Sequence, residues 1–336
     1  MELKKCLKSR NLWVGIAMLW IVFFHSALEL TSEGLVMFKN FGYGGVDICL
    51  FASGIGCYFS LEKDPDILEF LKRRVKRLGP SYLCFIIPWI LWRLWISDMP
   101  GWAILGNLLG VQSLISWDYH FNWYIGGLVV YYFTMPYMKR LTDSCGKLWQ
   151  DLLVWLCIGV ATIPFWGAHD TIVMLSRLPV VYSGMVFGKL ANRGYVLKRR
   201  DFLALNGTAL AGALALLVSY YMLPEWLWSR GLYWYPFALM VPGFCMLFSA
   251  LAEKMQERPY LRRIKQFLEI VGTYSFELYL VHVFLYEGLM PRIVGYLWRI
   301  TVNMQWAMSL PVVILGTFLL NRAAFFVNRL MQKQKV

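Results

Sequence analysis

The sequence predicts an all-α membrane protein, with about ten transmembrane helices in one bundle and both termini cytoplasmic. Three observations lead there. Of the 336 residues, 59% are hydrophobic and only 16% are charged, against about 25% charged in a soluble domain. The apolar residues come in long continuous blocks, of the length that a hydrocarbon core about 30 Å thick demands of a helix. The basic residues fall between the blocks and on alternate sides, the asymmetry of an inserted chain. Continuous rather than alternating runs exclude a membrane β-barrel.

In order, the spans are expected at about 12–28, 44–61, 82–97, 122–138, 152–168, 171–190, 202–222, 233–252, 268–289 and 305–325. The first is apolar until His25 and is read as a retained span, since no A-x-A-like cleavage site accompanies it. The second opens on Gly42, Gly44 and Gly45 and carries Asp47 near its start. The third is entered from the basic stretch Lys72–Arg77, closed by Leu78, Gly79 and Pro80. The sixth starts near Thr171, because Leu178–Leu190 alone is too short to cross, and so takes Arg177 into the membrane. The ninth carries Glu277 and His282. The others rest on apolar length alone.

With both ends inside, every cytoplasmic segment is basic. Of the 33 lysines and arginines, only Lys39, Arg93, Arg177, Arg230, Arg292 and Arg299 fall elsewhere. Insertion therefore accounts for the net charge of +13, and no nucleic-acid partner is expected. The seven cysteines form no CxxC and are odd in number. Most lie in apolar blocks, where free Cys acts as a small hydrophobe. Neither a disulfide framework nor a metal site is expected. No repeat or linker divides residues 1–336, so a single integral-membrane domain is expected, in contact with membrane lipids.

Ionisable groups inside spans are costly and are functional candidates by default. His25 lies in the outer half of the first span, with Glu29 at i+4 on the same face and able to orient or charge its ring. The alternative is a neutral ring bonded to nearby backbone. Asp47 favours a helix N-terminus, either as a cap or as a functional acid. Ser53 and Gly54 suit close helix packing. Arg73, Arg74 and Arg77 place three forked donors on one side of a helix, as a phosphate site or as a lipid-facing anchor. Buried Arg177 needs an anionic partner, and Glu277 is a plausible one. Glu277 and His282, five residues apart, occupy different faces.

These residues resemble the acyltransferase-3 family of integral-membrane O-acyltransferases, which modify bacterial cell-envelope glycans. The resemblance rests on IAMLWIVFFH ending at His25, GVDICLFASG, FLKRRVKRLGPSY, NWYIGGLVVYYFTMP, RLPVVYSGMVFG and VGTYSFELYLVH, in the family's order. It implies that His25 is essential, and that Arg73, Arg74 and Arg77 belong to a site for acyl-CoA, with acetyl-CoA the expected co-substrate and no metal. It maps the motif Asp and Ser-Gly onto Asp47, Ser53 and Gly54. One position departs: an arginine often found eleven residues before the histidine is here Val14, so its role is either dispensable or supplied by another residue such as Arg177 or Arg93.

On this reading the protein moves an acyl group, acetyl being expected, from cytoplasmic acyl-CoA to a hydroxyl of an envelope saccharide or lipid-linked acceptor. The site is a bacterial cytoplasmic membrane. His25 serves as base or as acyl carrier. Glu29 or Asp47 fixes its tautomer, and Arg177 steadies the oxyanion. A transporter or exporter of a glycan or small metabolite and a non-catalytic membrane partner are the alternatives. Acceptor identity and oligomeric state are not legible at this level.

Overall fold

The computed structural model describes residues 2–222, 233–290 and 302–333. Among these the chain is helical throughout, with one isolated β-bridge between Glu2 and Val196. The long helices are α1 (Arg10–His25), α2 (Gly45–Lys63), α3 (Ile67–Ile96), α4 (Trp123–Ser144), α5 (Leu148–Val160) and α6 (Leu178–Asn192). They continue as α7 (Arg199–Met222), α8 (Tyr235–Glu257), α9 (Pro259–Thr273), α10 (Ser275–Val283) and α11 (Val302–Lys333).

Eight described helices are long and apolar enough to cross a membrane, nine if the bent pair Pro259–Thr273 and Ser275–Leu289 is one span. The 22-residue α4 is also of spanning length. It falls outside that set, and it carries Tyr124, Tyr131, Tyr132 and Tyr137. The ten expected spans therefore all have helical counterparts, and the chain is a multi-pass membrane protein.

Three boundaries differ from expectation. The third span does not begin after Pro80: α3 runs unbroken from Ile67, with Pro80 and Pro88 inside it. Asp66 starts it by accepting a hydrogen bond from the Glu69 N–H at 2.7 Å, a side-chain cap for an otherwise orphaned donor. The basic stretch is thus part of a rigid helix and not of a loop. The sixth span is interrupted at Ser176–Arg177, between a short helix His169–Leu175 and α6. The ninth is bent by 70° at Tyr274, between α9 and α10.

The helices sort into an inner and an outer set. The apolar windows of Glu33–Lys63, Thr171–Asn192 and Tyr235–Glu257 are 72%, 78% and 61% buried within the protein. Those of Leu148–Phe165, Arg199–Met222 and Asn303–Met331 are only 11%, 22% and 17% buried. The outer helices present Leu152, Leu210, Ile314 and other large apolar side chains outward, as lipid-facing surfaces do.

Close approaches fix the inner set. A Cβ at Gly15 of α1 would fall 1.9 Å from the Leu268 carbonyl oxygen of α9, and one at Gly272 would fall 2.0 Å from that of Asn11. Gly54 of α2 and Gly184 of α6 meet in the same way, against the carbonyls of Val181 and Phe51. Only glycine admits backbones this near. At one end a polar clamp replaces glycine. Lys189, expected in a cytoplasmic loop, is instead buried and paired with Asp151. Its ammonium also donates to the Thr142 carbonyl at 2.9 Å. Asp151 accepts from Thr142 Oγ1 and Tyr182 OH at 2.6 and 3.0 Å. The buried pair is fully hydrogen-bonded, the condition under which such a pair is tolerated, and it ties α4, α5 and α6 together.

Candidate functional site

Helix α1 ends at His25, where Ser26 turns to extended backbone. The His25 Nδ1 lies 2.9 Å from the Ile21 carbonyl oxygen, one turn back. Helix α10 brings His282 beside it. The His282 Nδ1 lies 2.7 Å from the Leu278 carbonyl oxygen, so Nδ1 carries the proton and Nε2 the lone pair. That Nε2 lies 3.3 Å from His25 Nδ1. His25 Nδ1 therefore faces two acceptors and donates to them, and its own Nε2 is the ring nitrogen left for proton exchange. Glu287 Oε1 stands 3.2 Å from that nitrogen.

The three groups differ in exposure. His282 is fully buried, the His25 side chain is 12% exposed, and that of Glu287 is 53% exposed. The His25 Nε2 thus lies on the more exposed side, beside Glu287, and the His282 ring lies on the buried side. Glu287 sits on a π-helical turn, Phe284–Leu289, that continues α10. Such turns re-aim side chains and recur at functional sites. On a regular α-helix Glu287 would lie about 140° around the axis from His282. The expected partners of His25 were Glu29 and Asp47, and the structure supplies Glu287 and His282 instead.

Glu29 is not on the His25 face, because the helix stops before it. Its backbone N–H donates to Asn303 Oδ1 at 2.9 Å, and Asn303 Nδ2 donates to its carbonyl at 3.3 Å. Asp47 is fully buried in the first turn of α2 and faces Arg177, with Oδ2 3.5 Å from the guanidinium Nε. Arg177 also donates to the Val173 carbonyl. Its guanidinium lies 4.7 and 5.3 Å from the ring centres of Trp123 and Trp234, a cation–π enclosure. The expected pairing of Arg177 with Glu277 is absent. Glu277 accepts from Ser81 Oγ at 2.7 Å and from Asn321 Nδ2 at 3.3 Å, tying α10 to α3 and α11. The contacts of Arg177 are with Asp47, Val173 and the two indoles rather than with the imidazoles.

The other end of α1 opens into a cavity of about 130 Å3. Arg10, Arg74 and Arg77 line its mouth. Val14, Ile21, Ser53, Tyr124, Tyr132 and Tyr279 also line the cavity. It reaches toward the imidazoles but does not include them. Tyr279 lies between, its ring centre 5.5 Å from that of His282 and its hydroxyl donating to Asn122 Oδ1 at 2.6 Å. Asn122 also caps α4 by accepting from the Tyr124 N–H.

The three arginines expected to act together divide. Arg74 and Arg77 face the cavity. Arg74 donates to Ser60 Oγ at 3.1 Å, and its guanidinium lies 5.3 Å from the Phe70 ring centre. Arg73 turns the other way. It pairs with Asp64 and donates to the Ser60 and Asp64 carbonyls at 3.3 and 3.1 Å. The hydrogen bond from Arg73 holds the Asp64 carboxyl below the usual aspartate range. Reading the sequence for acids and bases missed Arg10 and Glu287. Arg10 was counted only among the basic residues before the first span. Glu287 lies inside the quoted ninth block, but its π-helical placement leaves no sequence signal. Arg230, Arg292 and Arg299 lie outside the described residues.

A polytopic bundle with a paired imidazole at one end of its first helix and an arginine-mouthed cavity at the other is a membrane protein that holds polar groups inside its helices. The class is narrowed by comparison. A family model described as an acyltransferase domain, that of the acyltransferase-3 family, matches residues 11–322. The chain belongs to the acyltransferase-3 family, and the match takes in every site residue named above except Arg10. No curated protein and no solved structure matches the chain significantly.

Proposed function

We propose that the protein is a membrane O-acyltransferase of the bacterial cytoplasmic membrane. It moves an acyl group, acetyl in the simplest case, from cytoplasmic acyl-CoA to a hydroxyl of a cell-envelope saccharide or related lipid-linked acceptor. The observation that carries the reading is the His25 ring. Its Nδ1 is engaged by Ile21 and His282, and its Nε2 faces the Glu287 carboxyl group, with which it can exchange and hold a proton.

The chemistry follows from that arrangement. A sugar hydroxyl is a poor nucleophile until its proton is accepted, and neutral imidazole suits that task near pH 7. As the hydroxyl oxygen bonds to the thioester carbonyl carbon, its proton passes to His25 Nε2. The imidazolium then has two N–H donors. Nδ1–H remains on Ile21 and His282, and Nε2–H faces Glu287, a charge-assisted contact. When the carbon–sulfur bond breaks, that proton passes to the departing thiolate. The products are the ester and free CoA thiol.

Acyl-CoA suits the rest of the bundle. Its phosphates match the guanidiniums of Arg74 and Arg77, and its thin arm suits a narrow cavity along α1. Arg10 and His25 are separated by about 22 Å of helix, a distance for a flexible arm and not for a compact substrate.

The test is acetyl transfer from labelled acetyl-CoA by the purified protein in lipid discs, with membrane glycans as acceptors, comparing the native chain with His25→Ala. Transfer by the native chain and its loss in the variant support the reading. Undiminished transfer by His25→Ala would remove the histidine from the chemistry, and no donor use by the native chain would remove the acyl-CoA assignment.

A further inference from the structure

The cavity mouth holds more positive charge than α3 alone brings to it. Arg10, on the first turn of α1, shares the cavity with Arg74 and Arg77. Its side chain is held inward across α2: a Cβ on Gly56 would lie 2.5 Å from Arg10 Nη1. Among the described residues no carboxylate pairs with any of these three arginines. The nearby acids are engaged elsewhere, Asp64 with Arg73, Glu62 with Lys139 and Glu69 with Lys72. Three guanidiniums converging without a counter-charge repel one another. The arrangement is favourable when a polyanion lies among them. One turn further along the same face of α1, Val14 lines the cavity wall and offers no charge.

Resting on the acyl-CoA reading above, we infer that Arg10 is a donor-binding residue that grips a phosphate of the thioester donor together with Arg74 and Arg77, from the face of α1 that Val14 continues one turn deeper. Residues four apart on a helix lie on the same face, so a guanidinium rooted at either position enters the same cavity. The occupant is therefore a phosphate-bearing thioester and not the thioester group alone.

The experiment compares two donors on the full-length protein in lipid discs: acetyl-CoA, and an acetyl-pantetheine thioester without phosphates. Arg10→Gln is expected to raise KM for acetyl-CoA by about 10- to 100-fold, the scale of a lost charged hydrogen bond, with kcat little changed. It should leave kcat/KM for the phosphate-free donor within about twofold, which also reports that the variant is folded. Adding Val14→Arg to Arg10→Gln should recover most of the lost affinity. Lys72→Gln, which removes a neighbouring exposed charge, should not reproduce the effect. An unchanged KM for acetyl-CoA in Arg10→Gln, an equal loss with both donors, or no recovery on adding Val14→Arg while the phosphate-free rate persists would each overturn the inference. If the native chain uses the phosphate-free donor as well as acetyl-CoA, Arg10 is no phosphate ligand. If it uses neither, the acyl-CoA reading itself fails.

Discussion

The Nε2 of His282 lies 3.3 Å from the Nδ1 of His25, across 257 residues of sequence. The contact engages the His25 Nδ1 and leaves Nε2 as the nitrogen that faces Glu287. His282 is itself locked by the Leu278 carbonyl, so it presents a lone pair and holds the His25 Nδ1 proton in place. His282→Ala should lower kcat by up to about tenfold, the worth of one hydrogen bond, without changing KM for acetyl-CoA. His282→Asn, which keeps a side-chain acceptor, should recover part of the loss. His25→Ala should lower kcat further, by about 10²–10⁴-fold, as removal of a general base does. Transfer kinetics on the three variants check the order, and equal kcat for native protein and His282→Ala would break the coupling.

Glu287 and Glu29 separate the structural reading from a regular-helix one. Glu287 faces the reactive nitrogen, whereas Glu29 is turned toward Asn303 through its backbone. Glu287→Gln should reduce kcat by about tenfold, and Glu29→Gln should leave it near native. The reverse result would restore Glu29 as the partner of His25.

The Asp47–Arg177 pair is predicted to serve stability first. Both side chains are buried, so Asp47→Ala leaves an unpaired cation inside the bundle, at a loss of about 3–5 kcal/mol. Combining it with Arg177→Met should restore much of the thermal stability in detergent. A double variant no more stable than Asp47→Ala would mean that Asp47 has a role besides neutralising Arg177.

The crossing of α1 and α9 offers a packing test. Gly272→Ala places a methyl against the Asn11 carbonyl, and relieving that contact should lower stability by about 1–3 kcal/mol. Because α1 carries His25 on its far end, the donor KM and kcat of the surviving protein should shift too. A native melting temperature would show that the helices part without strain.

The exposed Arg73–Asp64 pair carries a pH signature. The folded-state acidity of Asp64 is held below its ordinary value by Arg73, so its stabilising contribution is complete above the unfolded value of about 3.9. It is lost as pH falls through the lower folded value. Asp64→Asn should therefore be slightly less stable than the native chain at neutral pH, and the difference should close in acid below about pH 4. Melting curves across that range check it. A difference that grows in acid would contradict the pairing.

What the sequence determined by itself was the class, the spans and the short roster of polar groups. Hydrocarbon thickness dictates span length, and the energetic cost of buried charge leaves few ionisable residues to consider. His25, Arg177 and His282 were therefore legible as candidates from residue type and position alone. Their partners were decided only by tertiary structure. The basic run became part of a continuous helix through Pro80, which parted Arg73 from Arg74 and Arg77. The helix end at His25 removed Glu29, a π-helical turn supplied Glu287, and packing gave Arg177 to Asp47 rather than to Glu277. Each of these depends on how one helix ends or crosses another, and periodicity within a single span carries no information about that.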